Sequence, residues 1–176
     1  MDLDKAIQGR RSIREYSERK VSLDNIAEVL DAARFAPAAG NIQNFYFVIV
    51  EDKKKRKQIA EACNQIWMEK APVHIALCNS PGRLKVLYKK FGDHYSVQNC
   101  AIASQNIMLK AFSLNLGTCF VGSFNKNKIE SLLKIPPKVK VEGIITLGFV
   151  KKQEEIPRKL ELRRITYFEE FGKNLK

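Results

Sequence analysis

The spacing of hydrophobic side chains along this 176-residue chain predicts helices that alternate with a few strands. Apolar residues recur every three or four positions from Leu23 onwards, directly behind Ser22, and this pattern is typical of an amphipathic helix with a serine N-cap. Weaker stripes predict a short helix near Leu3 and another helix over residues 53–63. Residues 95–116 are apolar on more than one face, so this helix is expected to be buried or to pack against another subunit.

Short, unbroken apolar runs predict the strands, at residues 45–50, 73–78, 118–121 and 142–149. Runs without polar alternation indicate strands that are covered on both faces. Helices with so few strands between them favour an α+β or a mixed α/β class. No repeat, linker or low-complexity tract interrupts the chain, so we expect a single domain over residues 1–176.

The charge balance favours anionic partners. Lysine and arginine together number 31 against 19 acidic residues, which gives a formal net charge of +12. Such an excess is compatible with phosphates, acidic lipids or nucleic acids. The basic residues are spread over several segments rather than gathered in one tail, and most of them are expected to form solvated surfaces.

The cysteines do not form a metal-binding pattern. Cys63, Cys78, Cys100 and Cys119 are widely separated and lie among apolar neighbours, which predicts buried, reduced thiols and no metal site. The chain has no apolar stretch near the ~20 residues of a membrane span, and its first residues lack the layout of a signal peptide. We therefore expect a soluble, cytoplasmic protein.

Residues 10–14 are the strongest candidate for chemistry. Arg10, Arg11, Ser12 and Arg14 place three guanidinium groups and a hydroxyl within five positions, and arginine forms bidentate, charge-assisted hydrogen bonds to phosphate oxygens. In an extended segment Ser12 and Arg14 would point to one side while Ile13 packs inward. From spacing alone, a phosphate grip and a basic surface loop carry similar weight.

Two further segments are rich in small residues. Residues 36–43 surround Pro37 and Gly40 with alanines and end in Asn41 and Gln43, whose amides could bind the edge of a heteroaromatic ring. Residues 117–123 place glycines on both sides of a short strand. Each segment also suits an ordinary turn or a packed strand. The chain contains no GxGxxG, GxxxxGK[ST], HExxH or GxSxG motif, so a Rossmann dehydrogenase or a serine or metal hydrolase is poorly supported.

Taken together and in this order, the segments resemble the nitroreductase family of flavoproteins. The similarity is carried by residues 10–16, 36–45, 105–109, 116–124, 147–149 and 157–159, and it extends over nearly the whole chain. The resemblance implies an α+β fold with a mixed four- to five-stranded sheet, helices on both faces and an intertwined homodimer. It also implies that residues 151–176 form a C-terminal arm on the partner subunit, and that neither nucleic acid nor a membrane is a partner.

The resemblance further implies bound FMN, reduced by NADH or NADPH and reoxidised in a ping-pong reaction by a nitroaromatic, a quinone or a flavin. Arg10, Arg11, Ser12 and Arg14 would hold the FMN phosphate, ribityl chain and part of the ring, and Arg14 would stabilise charge near flavin N1. The partner subunit would supply Ala38, Ala39, Asn41 and Gln43. The remaining contacts would come from Gln65, Val121, Gly122, Arg158 and Lys159. No protein nucleophile is expected.

The sequence departs from the family pattern at several positions. Ala38 and Ala39 stand where a serine is common, Asn44 stands in place of a frequent proline, and Asn99 stands where an aspartate is usual. Residues 81–93, where larger members often carry a substrate-covering insertion, are few. Alternative hypotheses are a flavin-binding protein specialised for dehalogenation, flavin breakdown or storage, and a basic nucleic-acid binder, which would lack a recognised motif.

Overall fold

An antiparallel sheet forms the centre of the protein in a computed structural model that describes residues 2–173. The strands are β1 (Phe45–Val50), β2 (Val73–Asn79), β3 (Leu116–Val121) and β4 (Lys140–Phe149). They lie in the order β1-β2-β4-β3, and each neighbouring pair is antiparallel. The α+β class and the four strands are as expected. The expected mixed pairing needs correction, because the parallel pairing in the described residues is limited to an isolated bridge between Ser12 and Thr118.

Helices surround this sheet in the described part of the chain. They are α1 (Leu3–Gly9), α2 (Leu23–Arg34), α3 (Lys53–Ala62), α4 (Gly82–Tyr88), α5 (Gly92–Ser113) and α6 (Lys126–Leu132). Short 3-10 turns add Ala39–Asn41, Ile66–Lys70, Lys89–Phe91 and Leu162–Arg164. The predicted N-cap Ser22 accepts the Asn25 N–H, and Asn125 caps α6 in the same way.

The helices cover both faces of the sheet, as expected. Side chains at alternate positions of a strand point to opposite faces. Ile75 and Leu77 of β2 therefore pack in one buried cluster with α2 and α5, whereas Ala76 packs in a second cluster with α3 and α6. Because β2 and β4 are the inner strands, both of their faces are covered, which explains their unbroken apolar runs.

The long central helix differs in its bounds from the prediction of residues 95–116. Helix α5 begins three residues earlier and ends at Ser113, since Asn115 adopts a left-handed backbone with φ of 59° and β3 follows at once. Val97 and Ile102 on its outer face remain 46% and 40% exposed. Of the described helices, none combines the length and apolar character that a bilayer crossing requires.

Helix α4 was not predicted. It has only seven residues, and its apolar positions Leu84, Val86 and Leu87 are too few to show a helical period. Leu84 is fully buried, while Val86 and Leu87 are exposed. The helix lies beside the turn at Gly40, where a Cβ atom would come within 3.1 Å of Leu87 and 2.9 Å of the Tyr88 hydroxyl.

Beyond β4 the chain runs along the surface. Apart from the turn Leu162–Arg164, residues 151–173 form neither helix nor strand, and most of their side chains are exposed. The exposed side chains include large apolar ones, at Ile156, Leu160, Leu162, Ile165, Phe168 and Phe171. The last three residues of the expected C-terminal arm, 174–176, lie outside the described residues.

Candidate active site

The arginine cluster lines one cleft together with part of the C-terminal segment. This cleft has a volume of 760 Å³ and is lined by Arg10, Arg11, Ser12, Arg14, Pro157 and Lys159, with Glu154 and Glu155 on the C-terminal side. We call it the basic cleft. Its four cationic side chains outnumber its two carboxylates, and this donor set suits a doubly charged phosphate.

Ile13 anchors the segment that carries Ser12 and Arg14. Its side chain is 4% exposed and its N–H donates to the Thr118 carbonyl at 2.9 Å. Neighbouring side chains of this extended segment point to the opposite side, so Ser12 and Arg14 face the basic cleft as predicted. The segment is thus fastened to the sheet by its apolar side, which leaves the polar side available for a ligand.

Tyr16 holds the same segment by hydrogen bonds from its buried hydroxyl. Its buried hydroxyl donates to the Ile13 carbonyl at 2.7 Å and lies 2.7 Å from the Thr146 hydroxyl, which donates to the Cys119 carbonyl at 3.3 Å. Burial raises the pKa of Tyr16 well above its ordinary value, and so the phenol stays protonated. The chain of hydroxyls connects the arginine cluster to the inner strand β4.

Arg11 differs from the other arginines of the cluster. Its guanidinium donates to the carbonyls of Gln8 and Arg10, the latter at 2.7 Å, and therefore closes the C-terminal end of α1. Arg10 and Arg14 have no carboxylate partner among the described residues. Arg14 makes one bond to a backbone carbonyl, that of Ser12 at 3.2 Å, whereas Arg11 makes two, so Arg11 has fewer donors left for a ligand.

Trp67 brings Gln65 to the arginine cluster, a connection that sequence reasoning missed. The Arg14 guanidinium lies 5.8 Å from the centre of the Trp67 ring, and the indole N–H donates to Gln65 Oε1 at 3.0 Å. Trp67 also packs against the buried group of Ile13, Tyr16 and Ala71. The indole thereby orients the Gln65 amide, with its NH₂ group left to donate.

The segment with Ala38, Ala39, Asn41 and Gln43 lies apart from the basic cleft of the same chain. None of these four residues lines it. They form a partly exposed turn between α2 and β1 in which Gly40 and Asn41 both have positive φ, of 58° and 54°. The Gln43 amide donates to Asn41 Oδ1 at 2.8 Å.

A buried amide on α5 holds this turn. Asn99, which is 2% exposed, accepts the Ala39 N–H at 2.9 Å and donates to the Ile42 carbonyl at 3.2 Å and to Asn44 Oδ1 at 2.7 Å. The Asn44 amide in turn donates to the Ser96 hydroxyl at 2.6 Å. These contacts join residues more than fifty positions apart, and no local pattern indicates them.

Of the remaining predicted site residues, some line the basic cleft and others do not. Lys159 lines the basic cleft, but Arg158 does not. The side chain of Val121 is buried with 3% exposure in the core between the sheet and α3, so only its main chain is free to meet a ligand. Gly122 is exposed directly after β3. Neither residue lines the basic cleft.

The thiols are buried, as predicted. Cys119 is the cysteine nearest to the arginine cluster; burial raises its pKa even though the Arg14 charge opposes the rise. Burial likewise raises the pKa of Cys63 and of Cys78 to about 11. Over residues 2–173, no three His, Cys, Asp or Glu side chains are grouped to bind a metal ion.

Comparison with known proteins agrees with this fold. A protein of Archaeoglobus fulgidus described as a candidate NADH dehydrogenase/NAD(P)H nitroreductase is 34% identical over 156 residues, which cover 86% of this chain and 87% of that protein. The FMN reductase [NAD(P)H] of Bacillus subtilis is 29% identical over 77% of this chain, which spans 60% of the length of that enzyme.

Solved structures show the same architecture. An FMN-dependent nitroreductase from Clostridium difficile superposes with a TM-score of 0.82 at 24% identity, over 96% of this chain and 99% of the other. Residues 7–67 and 61–149 match the model of the Nitroreductase family, and these ranges contain all the predicted site residues before the C-terminal segment. The chain therefore belongs to the nitroreductase family.

Proposed function

We propose that this protein is an FMN-dependent oxidoreductase that takes hydride from NADH or NADPH and passes it, in a ping-pong reaction, to a nitroaromatic, a quinone or a flavin. The basic cleft is the observation that carries this proposal. Family membership and the names of relatives such as the B. subtilis FMN reductase support it.

The residues of the basic cleft fit the nucleotide end of FMN. Arg10, Arg14 and Lys159 can neutralise a phosphate dianion, and the Ser12 hydroxyl can donate a further hydrogen bond. Glu154 and Glu155 line the same cleft from the C-terminal segment that also carries Lys159. Pro157 limits the conformations of the C-terminal wall, which favours a fixed position for Lys159.

Arg14 and Gln65 suit the polar edge of an isoalloxazine ring. Arg14 carries its charge above Trp67, and the Gln65 NH₂ group is left to donate to a ring carbonyl or nitrogen. A fixed cation near N1 stabilises the negative charge of a reduced flavin. When bound, FMN supplies the hydride chemistry itself, so the protein needs to bind and orient substrates rather than provide a nucleophile.

We further propose that the active form is a homodimer. Val97 and Ile102 expose an apolar strip on α5, and the arm beyond residue 150 exposes several large apolar side chains without covering them. The turn of residues 38–43 lies away from the basic cleft of its own chain, and so it is available to complete the cleft of a second copy. Sedimentation of a folded monomer at micromolar concentration would contradict this assembly.

The proposed function is tested by adding FMN to the purified protein and measuring the affinity. Arg14→Ala should weaken FMN binding about ten-fold or more, since a charge-assisted contact is lost. It should also make the two-electron reduction potential of bound FMN about 30 mV more negative, because that shift corresponds to roughly 1.4 kcal/mol.

Arg19→Ala is the matched control. Arg19 is also exposed and stacks on an aromatic ring, with its guanidinium 3.9 Å from the centre of the Phe149 ring, but it does not line the basic cleft. It should leave FMN affinity and potential unchanged. Wild-type protein that takes up no FMN would refute the proposal, and so would equal effects of the two variants. Slow reduction by both NADH and NADPH in stopped-flow measurements would instead identify a flavin-storage protein.

A further inference from the structure

We propose that Asn99 and Asn44 form a buried amide pair that positions the turn of residues 38–43 for the flavin. The proposal rests on the proposed function, since the turn is assigned to FMN there. In this arrangement Asn99 is a positioning residue: it touches the turn and not the cofactor. Its side chain closes both ends of the turn, because one amide binds the Ala39 N–H and the Ile42 carbonyl.

The turn needs an external tether. Two consecutive residues, Gly40 and Asn41, have left-handed backbones, and they lie in a single 3-10 turn rather than in an α-helix or a strand ladder. The internal support consists of the Asn41 N–H to the Ala38 carbonyl at 2.9 Å and the Ile42 N–H to the Ala39 carbonyl at 3.1 Å. Both bonds lie within the turn, and they cannot fix where the turn sits relative to the rest of the molecule. The Asn99 amide does fix this position, because α5 is the central helix of the fold.

The chemistry of the tether requires an amide. Asn99 uses its oxygen as an acceptor and both hydrogens of its NH₂ group as donors, so its hydrogen-bonding capacity is nearly exhausted. A carboxylate at this position could accept from Ala39 but could donate nothing. It would place negative oxygens against the Ile42 carbonyl and the Asn44 Oδ1 atom, both of which are acceptors.

The two positions complement each other. Asn44 is 3% exposed and presents its oxygen to Asn99 and its NH₂ group to Ser96, which is fully buried. The Asn99 and Asn44 side chains are thus in direct contact at 2.7 Å. A proline at position 44 would offer no side-chain acceptor to an amide at position 99. Both asparagines are therefore needed for this contact.

The main test compares Asn99→Asp with Asn106→Asp. Both are the same near-isosteric exchange on α5, and both remove a buried or half-buried donor, since Asn106 donates to the Ala32 carbonyl at 3.1 Å. Only Asn99 contacts the turn. Hydrogen exchange in the cofactor-free protein should show faster exchange over residues 36–44 in Asn99→Asp, where the bond to the Ile42 carbonyl is lost and two acceptors face each other, and unchanged exchange there in Asn106→Asp.

FMN binding supplies the second measurement. Asn99→Asp should weaken FMN affinity about ten-fold, while Asn106→Asp should stay within about two-fold of the wild type, even where both variants lose thermal stability. Equal effects of the two exchanges on FMN affinity, or an unchanged exchange rate over residues 36–44 in Asn99→Asp, would overturn the proposal. Because the exchange experiment needs no cofactor, failure of the proposed function is visible separately as wild-type protein that does not bind FMN.

Asn44→Ala keeps the test informative where Asn99→Asp fails to fold. This change removes one partner of the Asn99 NH₂ group and leaves the two bonds to the turn, so its effect on FMN affinity should be smaller than that of Asn99→Ala. The double variant should bind FMN about as well as Asn99→Ala alone, because Asn44 acts through Asn99. Additive losses would show that the residues act independently and would overturn the pairing.

Discussion

His74 is the second residue of the inner strand β2, and it should make the protein sensitive to mild acid. The ring is fully buried, and Nε2 lies 2.9 Å from the Met68 carbonyl, to which it donates in the neutral form. Burial lowers the pKa of His74 to about 4; the Met68 carbonyl opposes this shift and the nearby Arg56 charge adds to it. Nδ1 has no hydrogen-bond partner among the described residues, so a second proton would be poorly accommodated.

The sign and size of the effect follow from proton linkage. Below its ordinary pKa of about 6.5, His74 binds a proton in the unfolded chain but stays neutral in the folded one, so the free energy of unfolding falls as the pH drops from about 6.5 towards 4. Between pH 7.5 and pH 5.0 this difference amounts to about 2 kcal/mol. With a urea m-value of about 2 kcal/mol/M for a domain of this size, the unfolding midpoint should shift by about 1 M.

Urea unfolding of wild type and of His74→Gln at both pH values tests this reasoning. Glutamine keeps a donor near the Nε2 position and does not titrate, so the variant should lose about 2 kcal/mol less than the wild type on acidification. His94→Gln, which changes the exposed histidine, should retain the wild-type loss. Equal pH dependence in wild type and His74→Gln would refute the reasoning.

Other predictions concern stability and the site. Tyr16→Phe leaves the Ile13 carbonyl without its 2.7 Å donor, which should cost about 2 kcal/mol and lower Tm by roughly 4–8 °C in calorimetry; an unchanged Tm would contradict this. In Gly148→Ala the new Cβ would lie 2.5 Å from Pro72 and 2.8 Å from Tyr16, so a loss of about 1–3 kcal/mol is expected, whereas Gly82→Ala meets no atom within 4 Å and should be neutral or stabilising. Trp67 is the only tryptophan, and its fluorescence should be quenched as FMN binds beside Arg14; steady emission from protein that has turned yellow would place the cofactor elsewhere.

Local patterns predicted the elements that depend on local forces. The stripe behind Ser22 marked α2, and the apolar runs marked the four strands to within a few residues, because burial and capping leave periodic signals. The alternation of Ser12, Ile13 and Arg14 also predicted which side chains face the cleft. Helix α4 was missed because seven residues are too short for a reliable period.

Long-range contacts explain what the sequence could not reveal. Trp67 links Arg14 to the predicted residue Gln65 only through tertiary packing, and Asn99 reaches the turn at Ala39 across 60 positions. The individual role of Arg11 was equally hidden, since its bonds to the end of α1 depend on where that helix stops. Residue type indicated a basic cluster, but the separate contacts of Arg10, Arg11 and Arg14 depend on the tertiary structure.

The separation between the turn of residues 38–43 and the basic cleft of the same chain has a consequence for how the protein responds to dilution. If a neighbouring subunit completes each cleft, FMN binds the dimer more tightly than the monomer. Mass action then couples FMN binding to subunit association. Apparent FMN affinity then rises with protein concentration, and excess nucleotide keeps subunits together. Removing FMN from a dilute sample would, on this account, also dissociate the homodimer.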